Sequence, residues 1–97
     1  SFDCSGLTQW TYGKAGINLP RTAQQQYDVT RHIPLLEAKA GDLVFFHSTY
    51  NAGSYITHIG IYLGDNRMFH AGDPIGYADL TSSYWQQHLV GAGRIKQ

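Results

Sequence analysis

The sequence predicts an α+β fold, with N-terminal helices packed on a central antiparallel β-sheet. Two observations carry this. The clearest helix signals fall early in the chain, and apolar strand runs then follow one another from Leu43 onward. Short Gly-, Asn- and Pro-containing turns separate those runs, and such turns join antiparallel neighbours. At 97 residues and 42% hydrophobic content, the chain fits one compact domain with a thin core.

Asp3 is an N-cap candidate for a helix that begins at Cys4 and stops at Gly16. Leu7, Trp10, the stem of Lys14 and Ala15 share one face by helical spacing. Thr22 caps a short helix over residues 23–27. His32 to Lys39 is expected as a loop with a turn at Pro34. Gly41-Asp42 opens the first clear strand, Leu43-Val44-Phe45-Phe46, and residues 48–54 form a hairpin loop. Tyr55 to Leu63 is the strongest strand. Its alternation puts Ile56, His58, Gly60 and Tyr62 on one face and Thr57, Ile59, Ile61 and Leu63 on the other. Gly60 would leave room beside His58 for a neighbouring helix end. Gly64-Asp65-Asn66 turns the chain into a partner strand, Arg67 to His70. Pairing positions that sum to about 129 would set Ile59 near His70, one step from His58. Asp73-Pro74 marks a turn, Ile75 to Leu80 a weaker strand, Thr81 a cap for a helix through Gln87, and Leu89 to Ile95 a final strand.

Seven basic and seven acidic residues balance to a formal charge of zero. Nucleic acids and anionic membranes select basic surfaces, so neither is the expected partner. No apolar run is long enough to span a bilayer, so no membrane insertion by this segment is expected. The single cysteine excludes an intrachain disulfide and leaves a free thiol.

That thiol is the first chemical candidate. At a helix N-terminus it meets the positive end of the helix dipole and unpaired N–H groups, which favour thiolate. His58 stands in an apolar strand, where core filling does not explain it. His70 ends the next strand within reach. A cysteine nucleophile, a base and an orienting group are the parts of nucleophilic acyl transfer. This chemistry calls for no metal or cofactor.

Phe2-Asp3-Cys4-Ser5-Gly6-Leu7, Leu19-Pro20-Arg21-Thr22, Ala40-Gly41-Asp42-Leu43-Val44-Phe45-Phe46, Thr57-His58-Ile59-Gly60-Ile61-Tyr62-Leu63-Gly64 and Phe69-His70-Ala71 closely resemble the NlpC/P60 family. Ser83-Tyr84-Trp85 and Val90-Gly91-Ala92-Gly93-Arg94 extend the likeness over nearly the whole chain. The resemblance implies a papain-like fold and a catalytic Cys4, His58 and His70. It implies a secreted or cell-wall-associated bacterial cysteine peptidase that cuts peptidoglycan stem peptides between γ-D-glutamate and a diamino acid. It also carries Asp3 and Ser5 into substrate binding, with Asp3 suited to the free amine of a stem. Family members often have Ser where Ala23 stands. Their domain usually begins with a helix upstream of the Cys motif, so residues 1–97 are expected to be a catalytic domain cut from a longer chain that holds further domains.

Three alternatives compete. A metal hydrolase would draw on His47, His58 and His70 with Asp65 or Asp73, but these lack a compact ligand pair. An N-acetylmuramoyl-L-alanine amidase or other acyl-transfer enzyme would use the same three residues on another bond. A non-catalytic wall-binding module would use the seven tyrosines and two tryptophans for stacking.

Overall fold

The computed structural model describes residues 3–72 and 75–96. The elements run α1 (Cys4–Lys14), α2 (Ala23–Asp28), β1 (Thr30–Ile33), a 3₁₀ turn (Leu35–Glu37), β2 (Leu43–His47), β3 (Ile56–Gly64), β4 (Arg67–His70), β5 (Gly76–Asp79), α3 (Ser83–His88) and β6 (Leu89–Ile95). The six strands form one sheet in the order β1-β6-β2-β3-β4-β5. Each neighbouring pair is antiparallel. The expected α+β architecture is therefore present. The turn expected at Asp73-Pro74 lies outside the described residues.

Both early caps form as their residue types dictate. The Asp3 carboxylate accepts the Gly6 N–H at 2.7 Å. Thr22 and Gln25 make a reciprocal capping box for α2. The expected apolar face of α1 does not form: Trp10 is 52% exposed, and Lys14 and Ala15 are exposed. The side that faces inward carries Ser5, Leu7 and Thr8. Its polar groups are satisfied by α2. The Thr8 hydroxyl donates to Gln26 Oε1 at 2.5 Å, and the Gln26 amide donates to the Ser5 and Pro20 carbonyls. A fully buried glutamine thus supports a polar helix face that periodicity of apolar residues cannot reveal.

The sheet buries both its faces. Leu43 and Phe45 pack with Leu19, Ala23, Ile56 and Ile59 on one side. Val44 and Phe46 pack with Tyr62, Met68, Leu80 and Ala92 on the other. Three sequence expectations change here. The stretch expected as a loop from His32 contains the end of β1, an edge strand paired to β6. Ile56 leaves the His58 face, because the β2–β3 register shifts between Phe46 and His47. Ser82, not Thr81, caps α3, while the Thr81 N–H and hydroxyl bond the Asp79 carboxylate.

The hairpin register also differs from expectation by one residue, and the difference matters. Asp65 and Asn66 both have positive φ, 52° and 61°, and form the two-residue turn between the paired Gly64 and Arg67. A bulge between Tyr62 and Gly64 then pairs Tyr62 with Met68 and Ile61 with Phe69. Continuing that register brings His70 beside Gly60, so it shares the face of His58. The expected register would have put it on the opposite face. A Cβ on Gly60 would come within 2.5 Å of Met68 Sδ and 3.4 Å of His70 Cβ. Gly60 thus makes room for the β4 side chains, not for a helix end.

Candidate active site

The start of α1 meets the sheet at residues 57–59. The Cys4 sulfur lies 4.0 Å from the Thr57 carbonyl oxygen, and the Ile59 N–H also acts on it. The sulfur therefore contacts the backbone on both sides of His58. Cys4 and His58 line one cavity of about 800 Å³, together with Asp3, Ser5, Arg21 and Thr57. Of the five residues given site roles from the sequence, Asp3, Cys4, Ser5 and His58 line this cavity and His70 does not. It bonds to His58: Nε2 of His58 and Nδ1 of His70 are 2.9 Å apart.

The electrostatics differ from the expectation of a ready thiolate. Burial pushes the Cys4 thiol above its ordinary value, and the Asp3 carboxylate pushes the same way. The N–H groups of Ile59, Ser5 and Cys4 oppose them without prevailing. Burial also pushes His58 down, to about 4, with a smaller contribution from His70. His70 is lowered by burial as well. Burial of the site thus favours the thiol and neutral imidazoles over the charged pair. His58 Nε2 is occupied by His70, which leaves Nδ1 as the nitrogen that can take a proton from elsewhere.

The α1 N-terminus supplies donors. The helical ladder begins with the Leu7 N–H to the Asp3 carbonyl, and the Asp3 carboxylate takes the Gly6 N–H. The N–H groups of Cys4 and Ser5 precede both, at the positive end of the helix.

Arg21 is the residue that reasoning from the sequence passed over. Its Nη2 contacts both Asp3 carboxylate oxygens at 3.0 Å, and its Nη1 donates to the Ser5 hydroxyl at 2.8 Å. It joins the two expected substrate-binding residues into one polar wall. The signal was available, since two acceptors at a helix start need a donor. The Arg21 guanidinium holds the Asp3 carboxyl below its ordinary range against a smaller opposing effect of burial.

The other histidines lie elsewhere. His47 stacks on Tyr55 and has its ring 6.0 Å from that of His88. Among the described residues, no three His, Cys, Asp or Glu side chains are grouped to hold a metal ion. Asp73, one of the ligands weighed for a metal site, lies outside the described residues.

Comparison with known proteins bears on the family and the fold. The chain is 60% identical over 96 residues to the bifunctional muramidase/DL-endopeptidase CwlT of Bacillus subtilis, covering 98% of this chain and 29% of that protein. A crystal structure from Staphylococcus aureus, titled as similar to a lipoprotein of the NLP/P60 family, superposes with a TM-score of 0.98 at 68% identity, over all of this chain and 33% of the other. RipD of Mycobacterium tuberculosis, titled a non-catalytic NlpC/p60 domain protein adapted to peptidoglycan binding, superposes with a TM-score of 0.81 at 28% identity, over 99% of this chain and 68% of the other. The chain therefore spans about a third or less of the length of the first two. The match to the NlpC/P60 family runs over residues 1–94, from the capped cysteine through β6, and the chain belongs to that family.

Proposed function

We propose that this domain is a cysteine endopeptidase that hydrolyses the γ-D-glutamyl–diamino acid bond of peptidoglycan stem peptides through an acyl-enzyme on Cys4. The observation that carries the reading is the seating of the Cys4 sulfur on the backbone around a histidine that is itself hydrogen-bonded to a second histidine, all beside one open cavity. The likeness to CwlT, a bifunctional muramidase/DL-endopeptidase, supports the bond assigned. A wall substrate puts the site of action outside the cytoplasm.

Because the resting pair is neutral, the proton moves during attack. His58 Nδ1 takes the thiol proton while its Nε2–H donates to His70 Nδ1. The sulfur forms a bond to the γ-carbonyl carbon, and the carbonyl oxygen becomes an oxyanion facing the Cys4 and Ser5 N–H groups. The imidazolium returns its proton to the departing amine as the C–N bond breaks. Water then gives a proton to His58 and attacks the thioester, releasing the carboxylic acid and the thiol.

The likeness to RipD favours a second reading, a domain that holds the stem peptide without cutting it. Product analysis on defined muropeptides separates these. New γ-D-glutamyl termini from the wild type, lost in a folded Cys4→Ala variant, are the expected result. A free muramoyl lactyl end would mean an amidase, turnover by Cys4→Ala would remove the nucleophile, and binding without products would establish the RipD-like role.

A further inference from the structure

Trp85 is the third residue of α3, far in sequence from Cys4, His58 and His70. The short helix is pinned to its place. Ser82 caps it through the Trp85 N–H, and the Gln86 side chain donates to the Leu80 carbonyl at 2.6 Å. The half-buried indole is thereby laid against the sheet. Its ring lies face-on to His58, with centroids 5.5 Å apart and planes at 23°. It lies edge-on to His70, at 5.2 Å and 86°. Phe46 backs it at 4.8 Å.

We infer that Trp85 is a positioning residue for the two histidines, a flat apolar cover that fixes the plane of His58 and shields the bond between the imidazoles from water. The inference rests on the proposed function in taking His58 as the base. The physical argument has two parts. Rotation of an imidazole about its last bond is soft and broadly populated. A ring lying against an indole keeps in-plane freedom only, so Nδ1 stays aimed at the cavity while Nε2 stays aimed at His70. The edge-on contact with His70 matches the perpendicular setting of the two imidazoles, whose planes cross at 88°.

The second part concerns hydration. An indole face also attracts an imidazolium, which would raise the pKa of His58. Burial, the largest cause of the downward displacement of His58, acts the other way, and the indole is one of the groups that bury the ring. The titratable and charged groups around His58 are His70 from β4 and, lining the same cavity, Asp3, Cys4, Arg21 and Tyr50. On α3, Tyr84 lies against Trp85 and His88 against Tyr84. The charge effect on His58 comes from His70.

The test uses the whole chain with Trp85→Ala, Trp85→Leu and Trp85→Phe. The His58 ring is titrated by NMR, and kcat and KM are measured against pH on a muropeptide. Trp85→Ala is expected to raise the His58 midpoint by about one unit and to move the acid limb of kcat upward by the same amount, with KM little changed. Trp85→Phe should restore both. If the alanine variant does not fold, Trp85→Leu should give a smaller shift in the same direction. An unmoved His58 midpoint in the alanine variant, or in the leucine variant where alanine does not fold, overturns the inference, because a purely structural tryptophan would lower stability without changing that titration. Should the wild type show no thiol-dependent turnover, the peptidase reading fails, while the NMR titration still decides the role of Trp85.

Discussion

His58 Nε2 and His70 Nδ1 are 2.9 Å apart, and one proton serves both atoms. For His58 to accept the thiol proton on Nδ1, it must carry hydrogen on Nε2, and His70 must present a lone pair on Nδ1. His70 therefore works as a neutral imidazole with its own hydrogen on Nε2. In the proposed mechanism it fixes the tautomer of the base and favours the imidazolium that forms during attack.

Removing that acceptor is predicted to slow chemistry and spare binding. His70→Ala should lower kcat by about 100-fold and leave KM within about threefold. Steady-state kinetics on a muropeptide checks this. A loss confined to KM would instead make His70 a substrate contact.

The displacement of His58 predicts a pH-dependent stability. Its ordinary value of 6.5 falls to about 4 in the folded chain. Between those two values the unfolded chain binds a proton that the folded chain does not. Stability therefore rises with pH across this window and is lost as pH falls from 6.5 towards 4, by up to about 3 kcal/mol. Urea unfolding at pH 7 and pH 4.5 should show a larger loss in the wild type than in His58→Gln. Equal losses would mean that His58 is not held neutral.

Asp3 caps α1, and the proposed function gives it a second task, binding the stem's amine, which a conservative change separates from the first. Asparagine caps a helix about as well as aspartate, and the exposed pair with Arg21 contributes little to stability. Asp3→Asn should thus change stability by less than about 1 kcal/mol but raise KM for a stem with a free amine about tenfold, at similar kcat, since only the charge is lost. Chemical denaturation and kinetics on stems with free and blocked amines measure the two effects apart. An unchanged KM would restrict Asp3 to its cap.

The residues of the candidate site were legible because each stands in local contradiction to its surroundings. Cys4 follows a capping aspartate, and His58 interrupts a run of apolar β-formers. The register that joins His58 to His70 was less legible. Its parity turns on a bulge beside Gly64, and sequence alternation carries no mark for one extra residue. The inward face of α1 was misjudged for a related reason. Gln26, in another helix, bonds the Thr8 hydroxyl and the Ser5 carbonyl, Arg21 bonds the Ser5 hydroxyl, and those partnerships exist only in three dimensions. The β1 strand is hard to read because its Arg31 and His32 are exposed and carry no apolar alternation, whereas β6 provides its pairing.

The position of β6 bears on when the site can exist during synthesis. It is the last strand to be made, yet it lies between β1 and β2. A nascent chain has its cysteine and both histidines by residue 70, with Trp85 and the strand that closes the sheet still to be added. Any fragment ending before Leu89 leaves β1 without its neighbour and the long edge of β2 bare. Under the proposed function, chains stopped before Leu89 should therefore be inert, aggregation-prone pieces rather than lytic ones.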